Sequence, residues 1–217
     1  MLYIVATPIG NLSDITLRAL STLKTVDYIL SEDTRRTIKL LSHYEIEKKL
    51  FSFHGFNEKK KEDLIINDLR NGKHIALVSD AGMPTISDPG NMLVKRCNLE
   101  NLKVTCIPGA SSVVTALALS GMNSSCFQFL GFFPKKPGEI GRALEKVINF
   151  SGTSIFFETP HRLLKTLNYL PDNINISIAK ELTKIHESVS FGNKEKLKAQ
   201  FEKGGVKGEF VLLLSNN

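Results

Sequence analysis

The chain has 217 residues, with 28 Lys and Arg against 22 Asp and Glu and a net charge of +6. At 42% hydrophobic and 23% charged it has neither disordered nor collagen-like composition, and it is long enough to bury a core without staples. Three cysteines without CxxC spacing (Cys97, Cys106, Cys126) argue against a disulfide framework and a zinc ribbon, and fit a reducing cytoplasm.

No apolar run approaches the ~20 residues of a membrane helix. The first residues read as a strand rather than as a signal peptide. Residues 2–6 form that strand, and 15–23 carry apolar side chains at helical spacing. A strand at 28–30 runs into Glu32-Asp33, followed by a helix over 37–43 and a short strand over 50–53. A charged helix spans 58–70 and is closed by Asn71-Gly72. Residues 75–78 have the continuous apolar pattern of a buried parallel strand. Asp88-Pro89 then opens a helix, as N-cap and first residue, that runs to about 99. A strand over 104–107 and a helix over 111–119, stopped by Gly121, complete the first half.

The second half reads as a strand over 127–133, a loop over 134–138, a helix over 140–148, a strand over 154–157 and a helix over 162–170. Strands follow at 174–179, 188–191 and 210–214, with a helix over 194–201 before the last. His186 and Glu187 fall on a hairpin, so this second sheet is mixed. The fold class is α/β in two lobes, divided as 1–115 and 116–217, with a parallel sheet in the first lobe and a ligand cleft between the two.

In open parallel sheets the ligand lies beyond the carboxyl ends of the strands. Four loops there are rich in Gly, Pro, Ser, Thr and Asp: 7–12, 31–35, 79–90 and 108–112. Small residues let a ligand approach the backbone, and Ser111 and Ser112 at a helix start offer hydroxyls and free amides. The GxGxxG and GxxxxGK[ST] phosphate fingerprints, HExxH, the EF-hand loop and GxSxG are all missing, and the five histidines have no ligand spacing. No metal is expected. The residues alone point to a two-lobed α/β protein with a small-molecule cleft.

The same loops resemble a known family. Thr7-Pro8-Ile9-Gly10-Asn11-Leu12, Glu32-Asp33-Thr34-Arg35 and the run from Ser79-Asp80-Ala81-Gly82-Met83-Pro84 to Asp88-Pro89-Gly90 are similar to motifs of the ribosomal RNA small subunit methyltransferase I family, within the tetrapyrrole methylase superfamily. Gly131-Phe132-Phe133-Pro134-Lys135-Lys136, Glu158-Thr159-Pro160-His161-Arg162 and Glu181-Leu182-Thr183-Lys184 extend the match over nearly the whole chain. Met83 stands where the family usually has Thr, and many relatives carry a further helical extension after the segment matching Gly208-Glu209-Phe210-Val211.

The resemblance implies a tetrapyrrole-methylase-like fold and transfer of methyl from S-adenosyl-L-methionine to the ribose 2′-oxygen of a cytidine in 16S rRNA of the small ribosomal subunit. It also implies a cytoplasmic homodimer with no membrane partner. Pro8, Asp80, Met83, Ser111 and Ser112 would line the cofactor, with Glu158 or Phe157 closing from the second lobe. The 2′-hydroxyl is weakly acidic, and Glu32, Asp33, His54, His161, Glu181 and Lys184 are candidates to help its proton leave; Asp33 and Glu181 are favoured. Arg35, Arg36, Lys135, Lys136 and Arg162 are the expected phosphate contacts. The alternative is methylation of a tetrapyrrole or another small molecule on the same scaffold.

Overall fold

Continuous apolar runs become the central strands of a five-stranded parallel sheet. The computed structural model describes residues 1–216, and Cα packing separates Met1–Ser111 from a second unit that starts at Ser112. In the first unit β1 (Leu2–Val5), β2 (Tyr28–Ser31), β3 (Leu50–Ser52), β4 (Ile75–Val78) and β5 (Val104–Ile107) stand in the order β3-β2-β4-β1-β5. All their pairings are parallel. Every residue of β2 and β4 is buried, which is why their sequence does not alternate.

Helices cover both faces. Ala19 and Leu23 of α1 (Leu17–Thr25) and Leu41 of α2 (Thr34–His43) pack on one side with Val5, Ile29 and Val78. Ile65, Ile66 and Leu69 of α3 (Glu58–Arg70) and Leu93 and Cys97 of α4 (Asn91–Leu99) pack on the other with Leu2, Leu30 and Leu77. Truncating a fully buried side chain such as Leu77 in this double-sided core would cost about 2–5 kcal/mol.

The second unit holds α5 (Ser112–Ser120), β6 (Phe127–Phe132), α6 (Pro137–Ile148), β7 (Thr153–Glu158), α7 (Leu163–Tyr169), β8 (Asn175–Lys180), β9 (Ser188–Gly192), α8 (Lys194–Gly204) and β10 (Phe210–Ser215). Its sheet runs β6-β7-β10-β8-β9 and is mixed: β6 and β7 pair parallel, and the other pairs are antiparallel. Helices α6, α7 and α8 cover the face presenting Phe156, Ile176, Ile178, Leu212 and Leu214. The opposite face receives α5 over β10, β8 and β9. Helix α5 lies wholly in the second unit.

Helix starts differ from the sequence expectation by two or three residues at α1, α2, α4 and α6, the last beginning at Pro137 inside the expected loop. Helix α2 begins at Thr34 because the Asp33 carboxylate caps it, accepting the Arg35 backbone N–H at 2.9 Å. Helix α4 begins at Asn91 behind Gly90 at φ 115°, although Asp88-Pro89 carries an N-cap signature. The loop before it passes through left-handed residues at Thr85 (φ 72°) and Ser87 (φ 67°), and Gly90 rather than Asp88 is the N-cap, with no side-chain cap bond. Among the described residues no helix is long and apolar enough to cross a membrane.

Candidate active site

The topology of the first sheet selects one edge for chemistry. Strands β1 and β2 both feed helices on one face, whereas β4, which lies between them, feeds α4 on the other. Chains leaving adjacent strands in opposite directions open a crevice at the strand ends, so the loop after β4, residues 79–90, lies at a switch point on both sides.

That loop is fastened before any ligand arrives. Thr7 and Gly82 exchange backbone hydrogen bonds at 2.9 and 3.0 Å, and the Thr7 hydroxyl donates to the Ser79 carbonyl at 3.2 Å. Gly82 sits at φ 82°, and a Cβ there would lie 3.2 Å from Ile9. Glycine therefore lets the loops after β1 and β4 touch through their backbones. At the far end of the loop the Glu58 carboxylate accepts the Gly90 N–H at 3.1 Å. Left-handed residues at Thr85 and Ser87 store strain of the kind that clusters at working sites.

Four carboxyl groups gather at this edge. Asp80 accepts the Asp33 backbone N–H at 2.9 Å, and its second oxygen lies 3.5 Å from the Arg36 guanidinium. Both oxygens of Asp33 are taken by Arg35, at 3.0 and 2.7 Å. That hydrogen bonding holds the Asp33 carboxyl down to about 2. Glu32 moves the other way: burial first, then the Asp80 charge, pushes its carboxyl above the usual range, against Arg36 and His54. Burial, followed by the charge of Glu32, pushes Asp88 up to about 6. His54 stands in the same electrostatic neighbourhood. Its backbone N–H donates to the Asn57 side-chain oxygen at 2.9 Å, so the Asn57 amide nitrogen faces Nε2 at 3.0 Å. In the neutral ring the proton then sits on Nδ1, which is buried and has no hydrogen-bond partner.

The structure thus revises the expected roles. Asp33 caps a helix and holds Arg35, and a carboxyl near 2 is a poor proton acceptor. Asp88, read from sequence as a helix cap, joins the carboxyl group instead; an Asp-Pro pair carries no signal that separates the two outcomes. Glu181 resembles Asp33: Lys184 donates to it at 2.9 Å and the Glu209 N–H at 2.8 Å, and these bonds hold its carboxyl below the usual range. It packs so closely on Gly208 that a Cβ there would lie 2.6 Å from its carboxyl carbon.

Glu158 has a fully buried side chain. Its oxygens accept from the Thr159 N–H at 2.7 Å and the Thr166 hydroxyl at 2.5 Å, and Arg162 lies 3.4 Å away. The side chain has no surface to offer a cofactor, which corrects the expectation for it. Arg162 is committed as well, donating to the Phe133 and Pro134 carbonyls at 2.6 and 2.8 Å. It is a clamp on the loop after β6 rather than a free phosphate contact. Its neighbours in that loop are open: Lys135 is exposed, and Lys136 is 82% exposed with only Glu139 at 3.7 Å. Arg35 and Arg36 also keep most of their surface. Pro8 is half-buried, and Ser111 and Ser112 are half-buried with hydroxyls that make no hydrogen bond among the described residues. Met83 leans on the core beside α4 and accepts from the Cys106 thiol at 3.7 Å. Phe157 is half-buried, with its ring 4.8 Å from Phe129 and 5.5 Å from Phe132. Among the described residues no group of three or more His, Cys, Asp or Glu could hold a metal ion.

A five-stranded parallel sheet with a fastened loop edge, followed by a five-stranded mixed sheet, defines an architecture shared with solved methyltransferases. The uroporphyrin-III C-methyl transferase of Thermus thermophilus, complexed with S-adenyl homocysteine, superimposes with a TM-score of 0.65 at 16% identity, over 99% of this chain and 96% of that one. The model of the tetrapyrrole (corrin/porphyrin) methylases matches residues 1–198. The chain is 47% identical to the ribosomal RNA small subunit methyltransferase I of Halalkalibacterium halodurans, over 100% of this chain and 76% of that protein. It is 46% identical to the protein of the same name from Thermotoga maritima, over 99% and 97%. The chain belongs to the ribosomal RNA small subunit methyltransferase I family, within the tetrapyrrole methylases.

Proposed function

We propose that this methyltransferase transfers a methyl group from S-adenosyl-L-methionine to the ribose 2′-oxygen of a cytidine in 16S rRNA. The observation that carries the reading is identity of 46–47% along the full chain to proteins named for small-subunit rRNA methylation.

The loop edge of the first unit suits such a cofactor. Its amine and hydroxyl groups are donors, and Asp80 and Glu32 are acceptors at the switch point. Its carboxylate is an acceptor, and Ser111 and Ser112 keep unused hydroxyls. Pro8 and Met83 supply apolar surface. Bound there, S-adenosylmethionine supplies a methyl already activated by a positive sulfur.

Much of the rate then comes from holding the ribose oxygen in line with that methyl. The 2′-hydroxyl must also lose its proton. Asp88, at about 6, is matched to that task near neutral pH, whereas Asp33 and Glu181 are held ionised by their partners. Asp33 and Asp80 act as positioning residues: the first fixes Arg35 and the second Arg36 for phosphate contact. Lys135 and Lys136 add contacts from the second unit.

The test is incubation with methyl-labelled S-adenosylmethionine and, separately, 30S particles, naked 16S rRNA and a tetrapyrrole. Label in rRNA supports the reading; label in the tetrapyrrole alone replaces it with the small-molecule alternative.

A further inference from the structure

Strand β6 is the edge of the second sheet and carries an irregularity at Gly131. The pairing of β6 with β7 runs in register from Phe127 to Phe129, shifts, and resumes at Phe132 opposite Phe157. Gly131 takes φ 74°, a conformation that glycine adopts without strain. In an unbroken strand residues 129 and 132 would face opposite sides of the sheet. The extra residue instead returns Phe132 to the side of Phe129, and both rings meet Phe157, at 5.5 and 4.8 Å. Phe133 goes to the core side and packs on Phe156 at 5.2 Å. Helix α5 covers this outer face over β10, β8 and β9, away from the β6 edge. Phe132 is left 54% exposed and Phe127 42% exposed.

Two such rings on an edge strand need an occupant that accepts aromatic faces. The chain continues from Phe132 into the exposed Lys135 and Lys136, on a loop that Arg162 pins by two carbonyls. From 127 to 165 the sequence has twice as many basic as acidic side chains. Aromatic faces beside fixed positive charge match a single-stranded nucleic acid, whose bases stack while its phosphates pair with lysine. They match a second protein surface less well, because lysine is depleted from the cores of such interfaces.

We infer that Phe132, backed by Phe129 and Phe157, is a stacking shelf for an unpaired base of the RNA substrate, next to the phosphates held by Lys135 and Lys136. The inference rests on the rRNA reading above and deepens it by assigning a base contact. Phe132 is a substrate-binding residue here. It touches the substrate outside the reacting ribose and sets binding rather than the chemical step.

The probe is a single-stranded RNA oligonucleotide containing 2-aminopurine, whose fluorescence is quenched by stacking. The wild-type protein quenches it. Phe132→Ala binds about tenfold more weakly or worse and leaves the fluorophore bright at saturation, and Phe132→Trp restores both. In methyl transfer to rRNA, Phe132→Ala raises KM with kcat little changed, and calorimetry gives an unaltered S-adenosylmethionine affinity. Equal quenching and equal KM in the alanine variant overturn the shelf while leaving the rRNA reading intact. A sedimentation shift from dimer to monomer in that variant overturns it too, because the face then covers a second copy. Wild-type protein that transfers no methyl to any rRNA overturns the reading beneath it.

Discussion

Replacing Asp88 with Asn stabilises the folded chain at neutral pH and leaves it nearly unchanged in acid. Burial, the Glu32 charge and the Asp80 charge all oppose ionisation of Asp88, and only a hydrogen bond from Ser79 favours it. A carboxyl moved from 3.8 to about 6 carries ~3 kcal/mol of differential interaction between its two forms. Asp88 is half-buried, so solvent screens part of this and leaves ~1–2 kcal/mol. The native state binds more protons than the unfolded chain between 3.8 and about 6, so this carboxyl makes stability fall as pH rises through that window. Above it the penalty is constant. Asn removes the charge, so the gap between variant and wild type opens over the same window. Urea unfolding at about pH 4.5 and about pH 7.5, with m held equal, reads it as a midpoint difference that grows toward neutral pH. Methyl transfer by the variant falls in the same samples if Asp88 accepts the 2′-hydroxyl proton as proposed above. A gap independent of pH, or a variant less stable than wild type at about pH 7.5, would refute the placement of Asp88 among like charges.

Arg162→Met leaves the buried Glu158 carboxylate without its cation and frees the Phe133 and Pro134 carbonyls, so urea unfolding gives a loss of ~3 kcal/mol or more. Adding Glu158→Gln recovers part of that loss, which a double-mutant cycle measures. Asp80→Ala weakens S-adenosylmethionine binding about tenfold by calorimetry. Lys135→Ala/Lys136→Ala lowers rRNA affinity and reduces the slope of log affinity against log salt by ~1.4, two phosphates at ~0.7 each.

The architecture was legible because burial wrote it into composition. Strands β2 and β4 are buried throughout and read as unbroken apolar runs, while α1 and α3 show helical spacing. The first turn of α6 was missed: residues 134–138 read as loop, whereas Pro137 stands at the helix start, a position that proline favours. The edge that carries the candidate site follows from the strand positions, because the small-residue loops lie just beyond them. The occupancy of each charged group was not legible. Glu158, Glu181 and Arg162 carry the residue types of catalysis and phosphate binding, yet each is bound by partners that the folded chain brings close, such as Thr166 on α7 or Glu209 before β10, while Asp33 is taken by Arg35 two residues on. Asp88 shows the converse, a capping residue by sequence that follows a left-handed Ser87 and feels the charges of Glu32 and Asp80. Gly131 marks an irregularity in β6, but the side to which it turns Phe132 follows from the pairing with β7.

Nucleoside mass spectrometry of 16S rRNA, taken from 30S particles treated with this protein and S-adenosylmethionine, shows whether the methyl goes to a cytidine sugar. One new 2′-O-methylcytidine is expected, with the methyl retained on the sugar after the base is removed. A methyl found on a base, or rRNA that gains none while the cofactor is demonstrably bound, would contradict the proposed function.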